Sequence, residues 1–177
     1  MRGLLIRLLF LPTLVWNLLL HRLLPRRRWW DQVDELLILG ALPFASDVPA
    51  LARAGVKAVL NLCAEYAGPV EAYAGAGIVQ RRILWEDFTT PTVEQLEEAV
   101  AFVTEQTRRG ARVYVHCKAG RGRAAAVALC WLVAARGKSA QEAEAWLRER
   151  RPHVVSGLHR RAPVQEFARR HGRTNVE

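Results

Sequence analysis

The sequence predicts an α/β fold, a central and mainly parallel sheet flanked by helices, and three observations predict it. From Asp34 onward, short apolar or β-branched runs alternate with longer stretches of helical periodicity. Gly and Pro punctuate the boundaries between them. The chain has 177 residues, 51% hydrophobic and 24% charged, enough to bury a real core and too apolar for disorder.

Taken in order, the run from Glu35 to Leu39, closed by Gly40, reads as a strand. Ser46 and Asp47 can cap a short helix through Ala54 that Gly55 stops. Val56–Leu62 reads as a buried strand. Gly68 and Pro69 break the chain, and Ile78–Trp85 is the next strand. Thr92 and Gln95 form a capping box that opens a long helix ending near Gly110, with Val93, Leu96, Val100 and Val103 at helical spacing. Arg112–His116 is rich in β-formers. Ala124–Arg136 is helical and nearly all apolar, which predicts a central buried helix. Ser139 and Glu142 form a second capping box, opening a helix that ends before Pro152. A last helix covers Pro163 to His171, with Gly172 at its end. There is no internal repeat and no low-complexity linker.

The net charge of +9 is uneven. Residues 1–30 hold Arg2, Arg7, Arg22, Arg26, Arg27 and Arg28 and no acid. Between Arg7 and His21 the chain is uncharged and apolar, interrupted by Pro12, Thr13 and Asn17. That run is short for a membrane span, which takes about 20 apolar residues. It lacks the small-residue cleavage site of a secretory signal, and it lacks the serines of a mitochondrial presequence. Apolar bulk, flanking arginines and Trp16, Trp29 and Trp30 fit an interfacial anchor on an anionic membrane surface. The competing reading is an ordinary helix packed on the domain. The expected division is a membrane-associating segment over residues 1–30 and a folded domain over residues 31–177. The basic residues near the C-terminus (Arg148, Arg150, Arg151, Arg160, Arg161, Arg169, Arg170 and Arg173) come with no nucleic-acid motif, so a solvated helix surface is expected and no nucleic-acid partner.

Cys63, Cys117 and Cys130 are too few for a disulfide scaffold, and no Cys/His spacing suits zinc. No metal and no cofactor are expected. Cys130 lies within the apolar helix and Cys63 follows an apolar strand, the setting of inert core thiols.

Cys117 is different. A strand runs into Cys117, Lys118, Ala119, Gly120, Arg121, Gly122 and Arg123, and the loop runs into a helix. Gly120 and Gly122 let the backbone turn so that successive N–H groups point at an anion. The helix N-terminus adds its positive end. Arg123 can grip two phosphate oxygens with its planar fork. Cys117, in that field, should have a thiol well below its ordinary pKa of about 8.5 and act as a nucleophile.

The stretch from His116 to Arg123 closely resembles the signature of the cysteine-dependent protein-tyrosine-phosphatase superfamily. That resemblance implies an aspartic acid on an upstream loop to protonate the leaving group. Asp87, between a strand and the long helix, is the candidate, with Glu86 as runner-up. The family usually has Ser or Thr after the cradle arginine, where this chain has Ala124. The resemblance implies that this hydroxyl stabilises the cysteine leaving group when the phospho-cysteine is hydrolysed, so its absence implies a slow second step, or a phosphate binder without turnover. A closer resemblance runs through Leu8–Trp16, Trp30 and Asp31, Ile38–Pro43, Glu65 and Tyr66, Asp87, and Val113–Arg121. These pieces resemble the mitochondrial-type PTP-like phosphatases that act on phosphatidylglycerophosphate in phosphatidylglycerol and cardiolipin synthesis. The resemblance implies a dual-specificity-phosphatase fold, a phospholipid substrate, and a monomer on a membrane, facing the cytoplasm of a bacterium or the matrix of a mitochondrion. Lys118, Ala119, Gly120, Arg121 and Gly122 would bind the substrate phosphate. Glu65 and Tyr66 fit either a pocket or a surface role, and His153 a structural one. A protein or phosphoinositide substrate is the alternative.

Overall fold

The computed structural model describes residues 2–23, 28–87 and 89–172; within α1, side chains are described for residues 10–20 and 23. Arg26, Arg27 and Arg173, and the side chains of Arg2, Arg7 and Arg22, lie outside that description. The chain order is α1 (Arg2–Leu23), β1 (Trp30–Gln32), β2 (Leu37–Gly40), α2 (Val48–Arg53), β3 (Val56–Asn61), α3 (Val70–Gly75), β4 (Val79–Arg82), α4 (Val93–Arg108), β5 (Arg112–His116), α5 (Arg123–Arg136), α6 (Ala140–Arg150) and α7 (Ala162–His171).

The five strands form one sheet in the order β1-β2-β5-β3-β4. β2, β5, β3 and β4 are parallel, and β1 runs antiparallel along the edge, with Asp31 opposite Leu39. The sheet is therefore mixed, four parallel strands and one reversed. Side chains alternate between its faces. Leu37, Leu39, Ala58, Leu60, Val113 and Val115 point into the larger core with α4, α5, α6 and α7. Ile38, Val59 and Tyr114 point the other way, against Val48, Leu51 and Tyr73 of α2 and α3.

Both predicted capping boxes form. Thr92 Oγ1 accepts from Gln95 N while Gln95 Oε1 accepts from Thr92 N, and Ser139 and Glu142 do the same. α5 is buried from Arg123 to Val133 and ends at Gly137 in the left-handed conformation, φ +66°. Two expectations differ from the fold, and two short elements went unpredicted. Asp47 does not cap α2; its carboxylate accepts from Phe44 N at 2.8 Å and closes a 3-10 turn over Ala45–Asp47. The strand expected over Ile78–Trp85 is only four residues long, because past Arg82 the chain turns back over the site. β1 and α3, each short, carry too few residues to show a period.

The register places the site. Gly40 lies opposite His116, His116 opposite Asn61, and Asn61 opposite Arg82. All four parallel strands thus end along one line, and the segments that follow them, starting at Ala41, Leu62, Ile83 and Cys117, meet there. In open parallel sheets this carboxyl edge is where ligands bind.

Candidate active site

The loop from Cys117 to Gly122 follows the central strand and enters α5 at Arg123. Its backbone is turned outside-in. The outward carbonyls each have a donor: Leu42 N for Lys118 O at 3.3 Å, Val155 N for Arg121 O at 3.0 Å, and Arg151 for two more. Arg151 Nε donates to Gly120 O at 2.9 Å and its Nη2 to Ala119 O at 3.0 Å. With the carbonyls held outside, the N–H groups are left to face the centre. Those of Ala119, Gly120 and Ala124 donate toward Cys117 Sγ. Gly120 takes φ +63°, and a Cβ there would come within 2.2 Å of Gly40 O, so only glycine fits. Gly122 does not share that role. Its φ is −116°, and a Cβ would meet nothing within 4 Å on the cavity side.

Cys117 is 4% exposed. Burial pushes its thiol up, but Arg123 and the three amides outweigh burial and hold it below its ordinary range. Cys130 lacks that compensation, and for Cys63 the pull of Arg123 is outweighed. Burial pushes both far up, and the neighbouring Cys117 pushes Cys63 further. His116, the residue before Cys117, is pushed down by burial to about 3 and is neutral at physiological pH.

Arg123 is buried, and its guanidinium is fixed from one side. Nη1 donates to Trp85 O at 2.6 Å, Leu62 O at 3.2 Å and Glu65 Oε2 at 3.3 Å. Nη2 pairs with Asp87 Oδ1 at 3.1 Å, and Nε has no partner among the described residues. The Asp87 loop is held by the same acid, because Glu65 Oε1 accepts from Asp87 N at 2.7 Å. Asp87 Oδ2 also pairs with Lys118 Nζ. Glu86 is exposed. A cavity of about 540 Å³ opens above the loop. It is lined by the cradle residues from Cys117 to Ala119 and from Arg121 to Arg123, by Asp87, Thr89 and Thr90, and by Val155 and Arg161. Gly120 shapes the loop from behind.

α1 forms the remaining wall. Thr13 Oγ1 accepts from Lys118 Nζ at 2.8 Å, the Phe10 ring lies 5.5 Å from that ammonium, and Trp16 and Asn17 face the cavity. Leu14 and Asn17 are buried against the domain, while Leu11, Val15, Trp16, Leu18, Leu19 and Leu23 are exposed. The packed helix of the competing reading is thus present, with an apolar outer face. No helix among the described residues is long and apolar enough to cross a membrane.

The structure therefore gathers Cys117, Arg123, Asp87 and the cradle loop in one cavity. Glu65 stands behind them, as the brace of Arg123 and Asp87. Tyr66 does not: its hydroxyl donates to Pro43 O at 2.6 Å, and its ring meets His116 edge-on. His153 contributes its carbonyl, which accepts from Arg121 Nε at 2.9 Å. Arg151 corrects the expectation of a solvated basic surface. It is 1% exposed, pairs with Asp31 Oδ2 at 2.6 Å, and buttresses the cradle. Its helix ends where the chain dives under the loop. Nothing in the spacing around Arg151 could reveal a partner 120 positions away.

A thiol held below its ordinary range at the focus of inward amides, under a fixed guanidinium and beside a carboxyl group, suits attack on a tetrahedral phosphate dianion. Fold and site together define a cysteine-dependent phosphatase. The chain belongs to the dual specificity phosphatase family, whose catalytic-domain model matches residues 37–170. It is 38% identical over 166 residues to the phosphatidylglycerophosphate phosphatase PTPMT2 of Arabidopsis thaliana, covering 92% of this chain and 73% of that protein. It is 33% identical over 146 residues to the human phosphatidylglycerophosphatase and protein-tyrosine phosphatase 1, covering 77% and 73%. Among solved structures it superposes on that of PTPMT1 in complex with PI(5)P with a TM-score of 0.73 at 26% identity, covering 81% of this chain and 96% of that one.

Proposed function

We propose that this enzyme hydrolyses the terminal phosphate monoester of phosphatidylglycerophosphate, giving phosphatidylglycerol and inorganic phosphate, as a monomer at an anionic membrane surface. The observation that carries the reading is the placement of α1. Among the described residues, six of the nine exposed large hydrophobic side chains lie on α1, which rims the same cavity that holds the cradle. Relatives named for this lipid substrate support it.

In this reading the substrate dianion enters the cradle and is gripped by the inward amides and Arg123. It competes with Asp87 for that guanidinium, and the carboxyl group is left to serve as acid. Cys117 Sγ attacks phosphorus, the P–O bond to the glycerol breaks, and Asp87 gives its proton to the departing alkoxide. A water molecule, losing its proton to Asp87, then attacks phosphorus. The P–S bond breaks and phosphate leaves, with Cys117 again a thiolate. Ala124 supplies only its N–H to that sulfur, where a hydroxyl would add a second donor, so the second step is the slow one. Residues 1–30 act as the membrane-associating segment and residues 31–177 as the catalytic domain. The exposed face of α1 enters the interface, and each arginine beside anionic lipid adds roughly 1 kcal/mol. The membrane face is the cytoplasmic one in a bacterium or the matrix one in a mitochondrion.

The test is phosphate release from phosphatidylglycerophosphate, phosphoinositides and a phosphotyrosine peptide, with Cys117→Ser as the blank. The lipid bearing a glycerophosphate should be hydrolysed fastest. Release from the peptide alone would overturn the reading.

A further inference from the structure

The cradle takes one phosphate group, which fills only a part of a cavity of about 540 Å³. Besides Arg123, the cavity wall carries two arginines, Arg121 and Arg161. The nearby C-terminal arginines mostly have acidic partners: Arg150 with Glu149, Arg151 with Asp31, and Arg169 and Arg170 with Glu166. Arg161 has neither an ion pair nor a side-chain hydrogen bond among the described residues, although it is half-buried. Arg53, Arg108 and Arg148 also lack such partners, but all three are exposed to water. A guanidinium withdrawn from solvent toward a cavity, with no counter-ion of its own, is set to receive an anionic ligand.

The position is also fixed. Arg121 Nε is pinned to His153 O, and Val155 N donates to Arg121 O, so the segment leading to Arg161 is tied directly to the cradle. Arg161 N–H and carbonyl close the 3-10 turn over Leu158–Arg160 and the first turn of α7. The second cation therefore keeps a set distance from Cys117.

Resting on the substrate reading above, we propose that Arg161, together with the free end of Arg121, forms a second anion subsite for the phosphodiester of the lipid. The enzyme then selects monoesters that carry a second phosphate one glycerol unit away from the scissile one. With the diester held on this wall, the acyl chains leave the cavity along Trp16 and the outer leucines of α1.

The experiment compares the full chain with Arg161→Gln and Arg161→Lys on two substrates. One is a short-chain phosphatidylglycerophosphate kept monomeric, so that no charged surface contributes. The other is para-nitrophenyl phosphate, a monoester without a second phosphate. Arg161→Gln should raise KM for the lipid about 10- to 100-fold, the loss expected for a charge-assisted hydrogen-bonded pair, with kcat within about twofold. Arg161→Lys should fall between Gln and wild type, and para-nitrophenyl phosphate should be hydrolysed equally by all three. An equal loss on both substrates, a fall in kcat with KM unchanged, or no change on either would overturn the subsite. Wild-type protein that cleaves para-nitrophenyl phosphate but not the lipid would overturn the substrate reading, and the subsite with it.

Discussion

α1, rich in Leu, and α5, rich in Ala, are both predominantly apolar, yet one lies open and the other closed. α5 is buried over its first eleven residues, Arg123 to Val133. α1 buries Leu14 and Asn17 and leaves Trp16 61% and Leu11 66% exposed. The difference comes from what surrounds each helix. α5 follows the central strand and is roofed by α4, α6 and α7. α1 touches the domain at the rim of the cavity, where Thr13 holds Lys118. Apolar composition marks a surface that avoids water but does not say what covers it. Both helices meet at one cavity, α5 by its first turn and α1 by its inner face. We therefore assign the existence of the cradle to α5 and access to it to α1.

The comparison breaks most visibly at the first turn of α5. Arg123→Lys keeps the charge but loses the fork, and kcat/KM should fall about 10²- to 10³-fold on any phosphate monoester. If the loss appears only on lipid, Arg123 is not the common phosphate grip. Next come packing effects. Leu129→Ala should destabilise the protein by about 2–5 kcal/mol, while Leu19→Ala on the outer face of α1 should stay within about 0.5 kcal/mol, read from urea midpoints. Comparable shifts would show that α1 is core after all.

The pH behaviour is a third test. Because the folded thiol of Cys117 is held below its ordinary range, its thiolate persists as pH falls and is lost only on passing that lowered value. Stability tied to the thiolate is present above the unfolded thiol pKa and lost in the same lower range. Alkylation of Cys117 by iodoacetamide should therefore have its midpoint below that of free cysteine, and Arg123→Ala should move the midpoint upward. His116, already neutral, should add no inflection near pH 6.

Ala124→Ser, which returns a hydroxyl to the sulfur, should raise steady-state turnover several-fold and lower the phospho-enzyme trapped on rapid quenching, on the scale of one hydrogen bond. The smallest effect belongs to Trp16→Ala. Retention on anionic vesicles should weaken a few-fold while hydrolysis of para-nitrophenyl phosphate is unchanged. Equal retention of both proteins would remove Trp16 from the proposed lipid contact.

Much of this architecture was legible because its signals are local. The spacing of Cys117 and Arg123, the glycine at 120, and the Thr92 and Ser139 capping boxes each depend on residues a few positions apart. Asp87 needed the resemblance, since an aspartic acid before a helix is common for other reasons. Glu65 was half-legible for the same cause: its stretch was seen, but its contact with Arg123 depends on β3 and β5 lying side by side. Arg151, Thr13 and Arg161 were not legible, because each acts across the fold and sits in a segment whose composition suits an ordinary surface helix or anchor. The glycine at 122 shows the opposite error, a local signal that promised a strained turn where the backbone has none.

The ion pair between Asp31 and Arg151 also orders events during synthesis. The chain emerges N-terminus first, so Cys117 and Arg123 leave the ribosome well before the residue that holds the carbonyls of Ala119 and Gly120 outward. Until Arg151 arrives and finds Asp31, the loop lacks the brace that holds two of its carbonyls outward, and the thiol lacks the amide share of the field that lowers its pKa. A chain ending before Arg151 would therefore lack the donor that holds the carbonyls of Ala119 and Gly120 outward.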